Sequence, residues 1–339
     1  MLTAVGTYPT TGVRQGQVVA VEQAETGLAA ALRQAEQNGN LTIRQVLLGV
    51  SGAHLQSVVN LGNIPIQGRD NSVTQDDVDE VTDLAATVHL DETRKAIHTF
   101  LQTFTVDDME GIGNPVGMAG SQLALTVLVI HGARARFENV ATVFRHVSVE
   151  VEDTVFSVCA ASLAVLTPEQ KKNGVLLIDL GGGTTNYVVF ANEVVAAAGS
   201  LGVGGDHITN DIALGFNIPS VQAEELKHRE GSAVIEPDAA GRRLTLPQSP
   251  GFPDRSIGVR ALQTVVHARI DETLRVVRAR LDEEGMLPLL GAGVVLTGGG
   301  SRLKNIVPLA QQTFGIPCRI GTLCNIACAP GIEPAPDLA

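Results

Sequence analysis

The chain has 339 residues, 44% hydrophobic and 18% charged, enough to bury a sizeable core and to hold two or more domains or subdomains. Its net charge of −12, from 24 Lys and Arg against 36 Asp and Glu, argues against a nucleic-acid groove, and 3% aromatic content without tryptophan argues against single-strand stacking platforms. The longest apolar stretches are of strand length and the N-terminus lacks the basic-then-apolar pattern of a secretory signal, which places the chain in the cytoplasm.

In chain order, residues 2–6 read as a strand. Residues 17–37 follow as an amphipathic helix with Val21, Leu28, Ala31, Leu32 and Ala35 near helical spacing, stopped by Asn38-Gly39-Asn40. The apolar run 46–52 is of strand length, so the opening reads βαβ. Thr74 caps a helix with Asp76 and Asp77 in its first turn and Val78, Val81, Leu84, Ala85 and Val88 on one face. A second helix is expected around 133–146. From Val147 come a strand, an Ala-rich segment over 157–166 and a polar break over 168–173.

A second domain begins there. Residues 202–206 open a helix, residues 223–227 sit in another, and 232–256, with Pro237, Pro247, Pro250 and Pro253, read as loops and short strands. A long charged helix spans 258–284, its apolar stripe running from Val259 through Ile270 to Leu281. The four cysteines, Cys159, Cys318, Cys324 and Cys328, show no C-x-x-C spacing and no nearby histidine, so buried free thiols are expected ahead of a zinc site.

Two segments carry the chemistry. Leu176-Leu177-Ile178-Asp179-Leu180 runs into Gly181-Gly182-Gly183-Thr184-Thr185, and Val294-Val295-Leu296-Thr297 runs into Gly298-Gly299-Gly300-Ser301. In each, missing β-carbons let backbone N–H groups turn toward an anion and let it come close. The first run leads into a β-branched and aromatic segment, giving strand, glycine turn, strand. That matches neither a Walker loop nor a dinucleotide fingerprint, both of which need a helix after the glycines.

A hairpin bearing Asp and Thr, paired with a later strand–GGG–helix, resembles the actin/Hsp70/sugar-kinase ATPase superfamily. Within it, Asp108-Met109-Glu110-Gly111-Ile112-Gly113-Asn114-Pro115-Val116-Gly117-Met118-Ala119-Gly120 resembles the D-x-x-x-G-I-x-N-P-x-G-[ML]-x-G segment of the bacterial cell-division FtsA family. Val50-Ser51-Gly52-Ala53-His54, Val73-Thr74-Gln75-Asp76-Asp77-Val78 and Leu296-Thr297-Gly298-Gly299 are similar too, so the resemblance covers nearly the whole chain.

The resemblance implies an α/β fold of actin-like (ribonuclease H-like) duplicated domains with an FtsA-type α+β insertion subdomain. Its expected parts are 1–56 with 147–168, an SHS2-like interaction subdomain at 57–146, 169–202 with 286–329, a smaller subdomain at 203–285, and a Pro-rich tail at 330–339. It implies ATP and Mg2+ as ligands, with Asp179 facing magnesium directly or through water and Gly181, Gly182, Gly183, Thr184 and Thr185 on the phosphates. Gly204, Gly205 and Asp206, at a helix start whose free N–H groups suit a phosphate or ribose, complete that side. Glu224 and Lys227 stand either on ribose and adenine or as a solvated i,i+3 ion pair. Gly298, Gly299 and Gly300 would close over the adenosine and α-phosphate. Among partner positions it implies FtsZ at Arg269 and Glu272, with Arg260, Arg275, Arg278 and Arg280 near an acidic peptide or merely solvated. Filament contacts and contacts with later division proteins fall around Asn114 and Pro115, which form a turn in their own right.

The chain departs from the superfamily pattern by having no first phosphate loop, D-x-G-[ST], its first aspartate being Asp70, and no amphipathic membrane-targeting tail. A fragment, a mis-assigned start and stop, and a degenerate paralogue are the competing accounts. Residues 154–159 offer no water-orienting Gln or Glu, so nucleotide is expected to control assembly more than turnover. Two function classes stand: a polymerising division factor tethering FtsZ filaments at the inner face of the cytoplasmic membrane, or an ATP-dependent enzyme or pilus-assembly protein of the same superfamily.

Overall fold

A computed structural model describes residues 1–67, 69–246 and 256–329; Pro247, Pro250, Pro253 and the Pro-rich tail lie outside the described residues. Its first elements are β1 (Val13–Arg14), β2 (Gln17–Val18), α1 (Val21–Gly39) and β3 (Gln45–Val50). The first strand expected from the sequence does not form. Leu2 makes a single parallel bridge to Cys328, and the segment behind it lies against α1, where a β-carbon on Gly6 would fall 2.0 Å from the Ala31 carbonyl oxygen. The helix starts at Val21 because Gln17 and Val18 are already paired with β1, and it ends as expected, with Asn40 in the left-handed region at φ 47°.

The insertion follows as β4 (Gln56–Pro65), α2 (Gln75–Ala86), β5 (Arg94–Val106), β6 (Met109–Ile112) and β7 (Gln122–Ala133). Its strands form an antiparallel sheet in the order β4-β7-β5-β6. α2 packs on this sheet through Val81 and Ala85. The start of α2 is fixed by a reciprocal cap: the Thr74 hydroxyl accepts the Asp77 N–H, and the Asp77 carboxylate accepts the Thr74 N–H at 2.8 Å.

Next come α3 (Arg134–His146), β8 (Glu150–Phe156), α4 (Ser157–Val165) and α5 (Pro168–Asn173). β3 and β8 pair in parallel as a two-stranded sheet. The polar stretch read as a break is helical: Thr167 and Gln170 cap one another and Pro168 takes the first helical position, where its missing N–H costs nothing.

The remaining elements are β9 (Val175–Leu180), β10 (Thr185–Ala191), β11 (Val194–Leu201), α6 (Gly205–Phe216), α7 (Ser220–Glu230), β12 (Arg243–Thr245), β13 (Ser256–Gly258), α8 (Val259–Glu283), β14 (Val294–Thr297), α9 (Ile306–Phe314) and β15 (Cys318–Ile320). Five strands form one sheet in the order β11-β10-β9-β14-β15. β9 is apolar on both faces because both are covered. Leu176, Ile178 and Leu180 pack toward α6–α9, while Val175 and Leu177 join Phe156, Val158 and Val165 of the β3–β8 half. β9, β14 and β15 run parallel, so the turns leaving β9 and β14 emerge at the same end of the sheet, where ligands of open α/β sheets bind.

Candidate functional site

At that end lies a cleft of about 360 Å³, walled by five segments. The β9–β10 turn supplies Gly181, Gly182 and Thr185, the start of α6 supplies Gly204, Gly205 and Asp206, and α7 supplies Glu224, Lys227 and His228. α8 adds Ile270 and Thr273, and the turn after β14 adds Gly299, Gly300, Arg302 and Lys304.

The two glycine turns meet because β14 pairs with β9 in register, Thr297 beside Asp179. Gly298 sits at φ +79°, and a β-carbon there would fall 2.3 Å from an Asp179 carboxylate oxygen and 2.8 Å from the Leu180 carbonyl. The first turn is closed by the Gly181 N–H on the Thr184 carbonyl at 2.9 Å. The amides of Gly182 and Gly183 have no acceptor among the described residues.

At the start of α6 the expectation of free amides fails. The Gly205 N–H donates to the Gly181 carbonyl at 3.0 Å and the Asp206 N–H to the Gly182 carbonyl at 2.8 Å. The helix terminus thus satisfies its orphan donors on the glycine turn and holds that turn in place. A β-carbon on Gly204 would fall 2.5 Å from the Gly181 and Gly182 carbonyl oxygens, so this glycine lets the helix start pack on the turn.

The Glu224–Lys227 pair forms at 2.7 Å, but it is not a solvated surface pair. The Lys227 side chain is only 12% exposed, and its ammonium also donates to the Gly205 carbonyl at 3.1 Å and the Thr209 hydroxyl at 2.9 Å. Burial alone would raise the Glu224 pKa, but hydrogen bonds from Lys227 and Thr209, with the Lys227 charge, outweigh it and hold the carboxyl below its usual value. The pair ties α7 to the start of α6, with the ammonium's three donors committed to Glu224, Gly205 and Thr209.

Four expected site residues stand behind the wall of the cleft: Asp179, Gly183, Thr184 and Gly298 are not among its lining residues. Burial pushes Asp179 above the ordinary carboxylate range, partly offset by a hydrogen bond from Asn186 at 3.0 Å, and the Asn186 carbonyl in turn accepts from Ser200 at 2.7 Å. The Thr185 hydroxyl donates to the Val203 carbonyl at 2.8 Å, and Thr184 reaches the Ser51 hydroxyl at 3.3 Å. Sequence reading missed Asn186 and Ser200. The available signal was an amide-bearing residue inside an otherwise apolar strand, and only the β9–β10 register shows that it faces Asp179.

The expected partner positions are largely committed within the chain. Arg269 is bonded to Asp211 at 2.6 Å and to Glu272 at 2.7 Å. Arg275 pairs with Asp271 at 2.9 Å and Arg280 donates to the Ser200 carbonyl at 3.3 Å, so the basic run is partly neutralised. Arg269, Glu272 and Arg280 line a separate groove of about 350 Å³. Asn114 accepts the Val116 N–H at 3.2 Å, and Gly117 takes φ +87°, as the turn requires. Of the thiols, Cys159 and Cys318 are buried and pushed up to about 12 and about 11, whereas Cys324 is exposed and Cys328 half-buried, a departure from the expectation for all four.

Two halves joined face to face, each with parallel strands, and a cleft at the strand ends define an actin-like (ribonuclease H-like) protein with an α+β insertion. The fold is similar to that of a solved PilM–PilN type IV pilus biogenesis complex, with a TM-score of 0.60 over 92% of this chain and 78% of that one at 15% identity. The sequence profile of "Cell division protein FtsA" matches residues 176–331, and that of the "SHS2 domain inserted in FTSA" matches residues 52–131. The chain is 33% identical over 317 residues to the cell division protein FtsA of Pseudomonas aeruginosa, covering 94% of this chain and 76% of the relative. It is 30% identical to that of Escherichia coli, covering 95% and 78%. The chain belongs to the FtsA family of actin-like cell-division proteins. Among the described residues, no helix is long and apolar enough to cross a membrane.

Proposed function

We propose that this division protein binds ATP in the cleft as an assembly ligand, polymerises, and links FtsZ filaments to the inner face of the cytoplasmic membrane. The observation that carries the nucleotide reading is the convergence of both glycine turns and the Glu224–Lys227 pair on one cleft. The free Gly182 amide suits a phosphate, the apolar Ile270 suits the uncharged end of a nucleotide, and the Glu224–Lys227 pair suits ribose and adenine. Magnesium fits less fully. No three His, Cys, Asp or Glu side chains among the described residues converge on one point, so the ion would be held by the phosphates and water with Asp179 as an outer partner. The expected subdomain boundaries, the filament and late-partner role of Asn114 and Pro115, and the FtsZ role of Arg269 and Glu272 belong to this same proposal. FtsZ would there meet a groove in which Arg269 already has acidic partners and Arg280 is hydrogen-bonded to the Ser200 carbonyl.

Equilibrium dialysis of MgATP against the purified chain tests the reading. Lys227→Ala is expected to weaken binding about tenfold or more, because it leaves the Glu224 carboxylate and the Gly205 carbonyl beside the cleft without their cation. Unchanged affinity in that variant would show that the nucleotide lies elsewhere.

A further inference from the structure

The insertion leaves the body through residues 51–55 and returns at Ala133. Three imidazoles stand at this root: His54 on the first crossing, His98 on β5 and His131 on β7. In two of them a donor that keeps its hydrogen at all working pH fixes the ring as an acceptor. The Arg94 guanidinium donates through Nε to Nδ1 of His131 at 2.6 Å and through Nη2 to the His54 carbonyl at 2.9 Å. The Phe156 N–H, at the end of β8, donates to Nε2 of His98 at 3.0 Å. Each of these rings is therefore neutral, with its own hydrogen on the other nitrogen, and a second proton would set N–H against N–H.

His54 is held by packing instead. Both of its ring nitrogens are buried without a hydrogen-bond partner among the described residues, and the ring centre lies 5.5 Å from that of Phe137 in α3. It is wedged between two glycines: a β-carbon on Gly52 would fall 2.8 Å from Nδ1, and one on Gly132 would fall 3.0 Å from Cδ2. The charges that bear on it, Arg136 of α3 and Arg94 of β5, are both cationic, and with burial they push it down to about 4. Burial and Arg94 lower His131. Burial lowers His98 too, against the opposite pull of Asp153 in β8.

The insertion also meets the body along β11, through groups that do not titrate. The Ser57 hydroxyl donates to the Ala198 carbonyl at 2.7 Å, and the Gln102 carboxamide donates to the Val195 and Ala196 carbonyls at 3.2 and 3.3 Å. Leu128 and Ile130 share a core with Val195 and Ala198. We infer that the root of the insertion is an acid-released joint, closed by His54, His98 and His131 only while they are uncharged, and that the insertion turns about its β11 contacts when they take up protons. The joint is independent of whether the cleft binds nucleotide. Below pH 6.5, the ordinary value of a free imidazole, the opened joint binds protons that the closed one does not, so opening grows more favourable until the lowered values are passed.

Hydrogen exchange read by mass spectrometry on the whole chain at pH 7.5 and 5.0, corrected for the intrinsic pH dependence of exchange, tests this. Protection of the Arg94–His98 end of β5, the His131 end of β7 and the Phe156 end of β8 is expected to fall about tenfold or more at pH 5.0, while β9 and β14 keep theirs. The paired variant His98→Gln with His131→Asn puts an amide oxygen, which does not titrate, in place of each accepting nitrogen. It is expected to match the wild type at pH 7.5 and to keep about threefold or more of the protection that the wild type loses at pH 5.0. Unchanged wild-type protection at the root overturns the inference without need of any variant. So does a loss shared equally with β9 and β14, or a paired variant that folds and loses as much as the wild type.

Discussion

Gly298, in the turn after β14, and Gly117, in the loop between β6 and β7, both hold positive φ, at 79° and 87°, in opposite surroundings. A β-carbon on Gly298 would overlap Asp179 and the Leu180 backbone, whereas one on Gly117 would meet nothing within 4 Å. Glycine is required at the first position by conformation and by close packing together, and at the second by conformation alone. The cleft needs its glycines because two strands distant in sequence must lie close enough for their turns to share one ligand. The insertion needs its glycines only to reverse the chain at the surface.

The sharpest test of that contrast is Gly298→Ala. Positive-φ strain plus overlap with Asp179 is expected to cost about 3 kcal/mol in urea unfolding and to remove MgATP binding. A cost no greater than at Gly117 would break the comparison. Asp179→Asn acts in the other direction. The folded-state pKa of Asp179 is raised by burial, so its ionised form burdens the fold above that pKa and the burden disappears as pH falls below the unfolded value. The variant is therefore expected to gain about 1 kcal/mol at pH 7, a gain that shrinks toward pH 3, while losing nucleotide affinity. A gain independent of pH would show that the carboxylate carries no such burden.

Gly117→Ala is expected to cost about 1 kcal/mol in the same unfolding assay, from left-handed strain alone, and to leave nucleotide binding unchanged. Gly113→Ala, at a position with open space and no positive φ, should stay within about 0.5 kcal/mol of the parent. A large loss there would mean the insertion loop is packed against something in solution.

Local patterns made much of this legible. The cap at Thr74, the Asn114 turn, the apolar stripe of α8 and the strand–turn–strand at Asp179 all depend on residues a few positions apart, and each forms as read. The departures have two separate causes. Residues 2–6 have strand-like composition but only a single bridge to Cys328, since a strand needs a neighbour that composition does not supply. The stretch 168–173 is polar, as a break would be, yet it is helical because Pro168 opens it inside the cap formed by Thr167 and Gln170.

At the site, the sequence by itself determined which residue types stand at the turns: glycines after two apolar strands, an acid at the end of β9, and a Glu and Lys one helical turn apart. Tertiary structure decided what each could do. It assigned the α6 amides to the Gly181 and Gly182 carbonyls, drew Lys227 onto Gly205 and Thr209, and set Asp179 behind the wall on Asn186. Helix and turn preferences act over a few residues and can be read along the chain. Which donors remain free at a site depends on contacts between segments far apart in sequence, and these exist only once the sheets have packed.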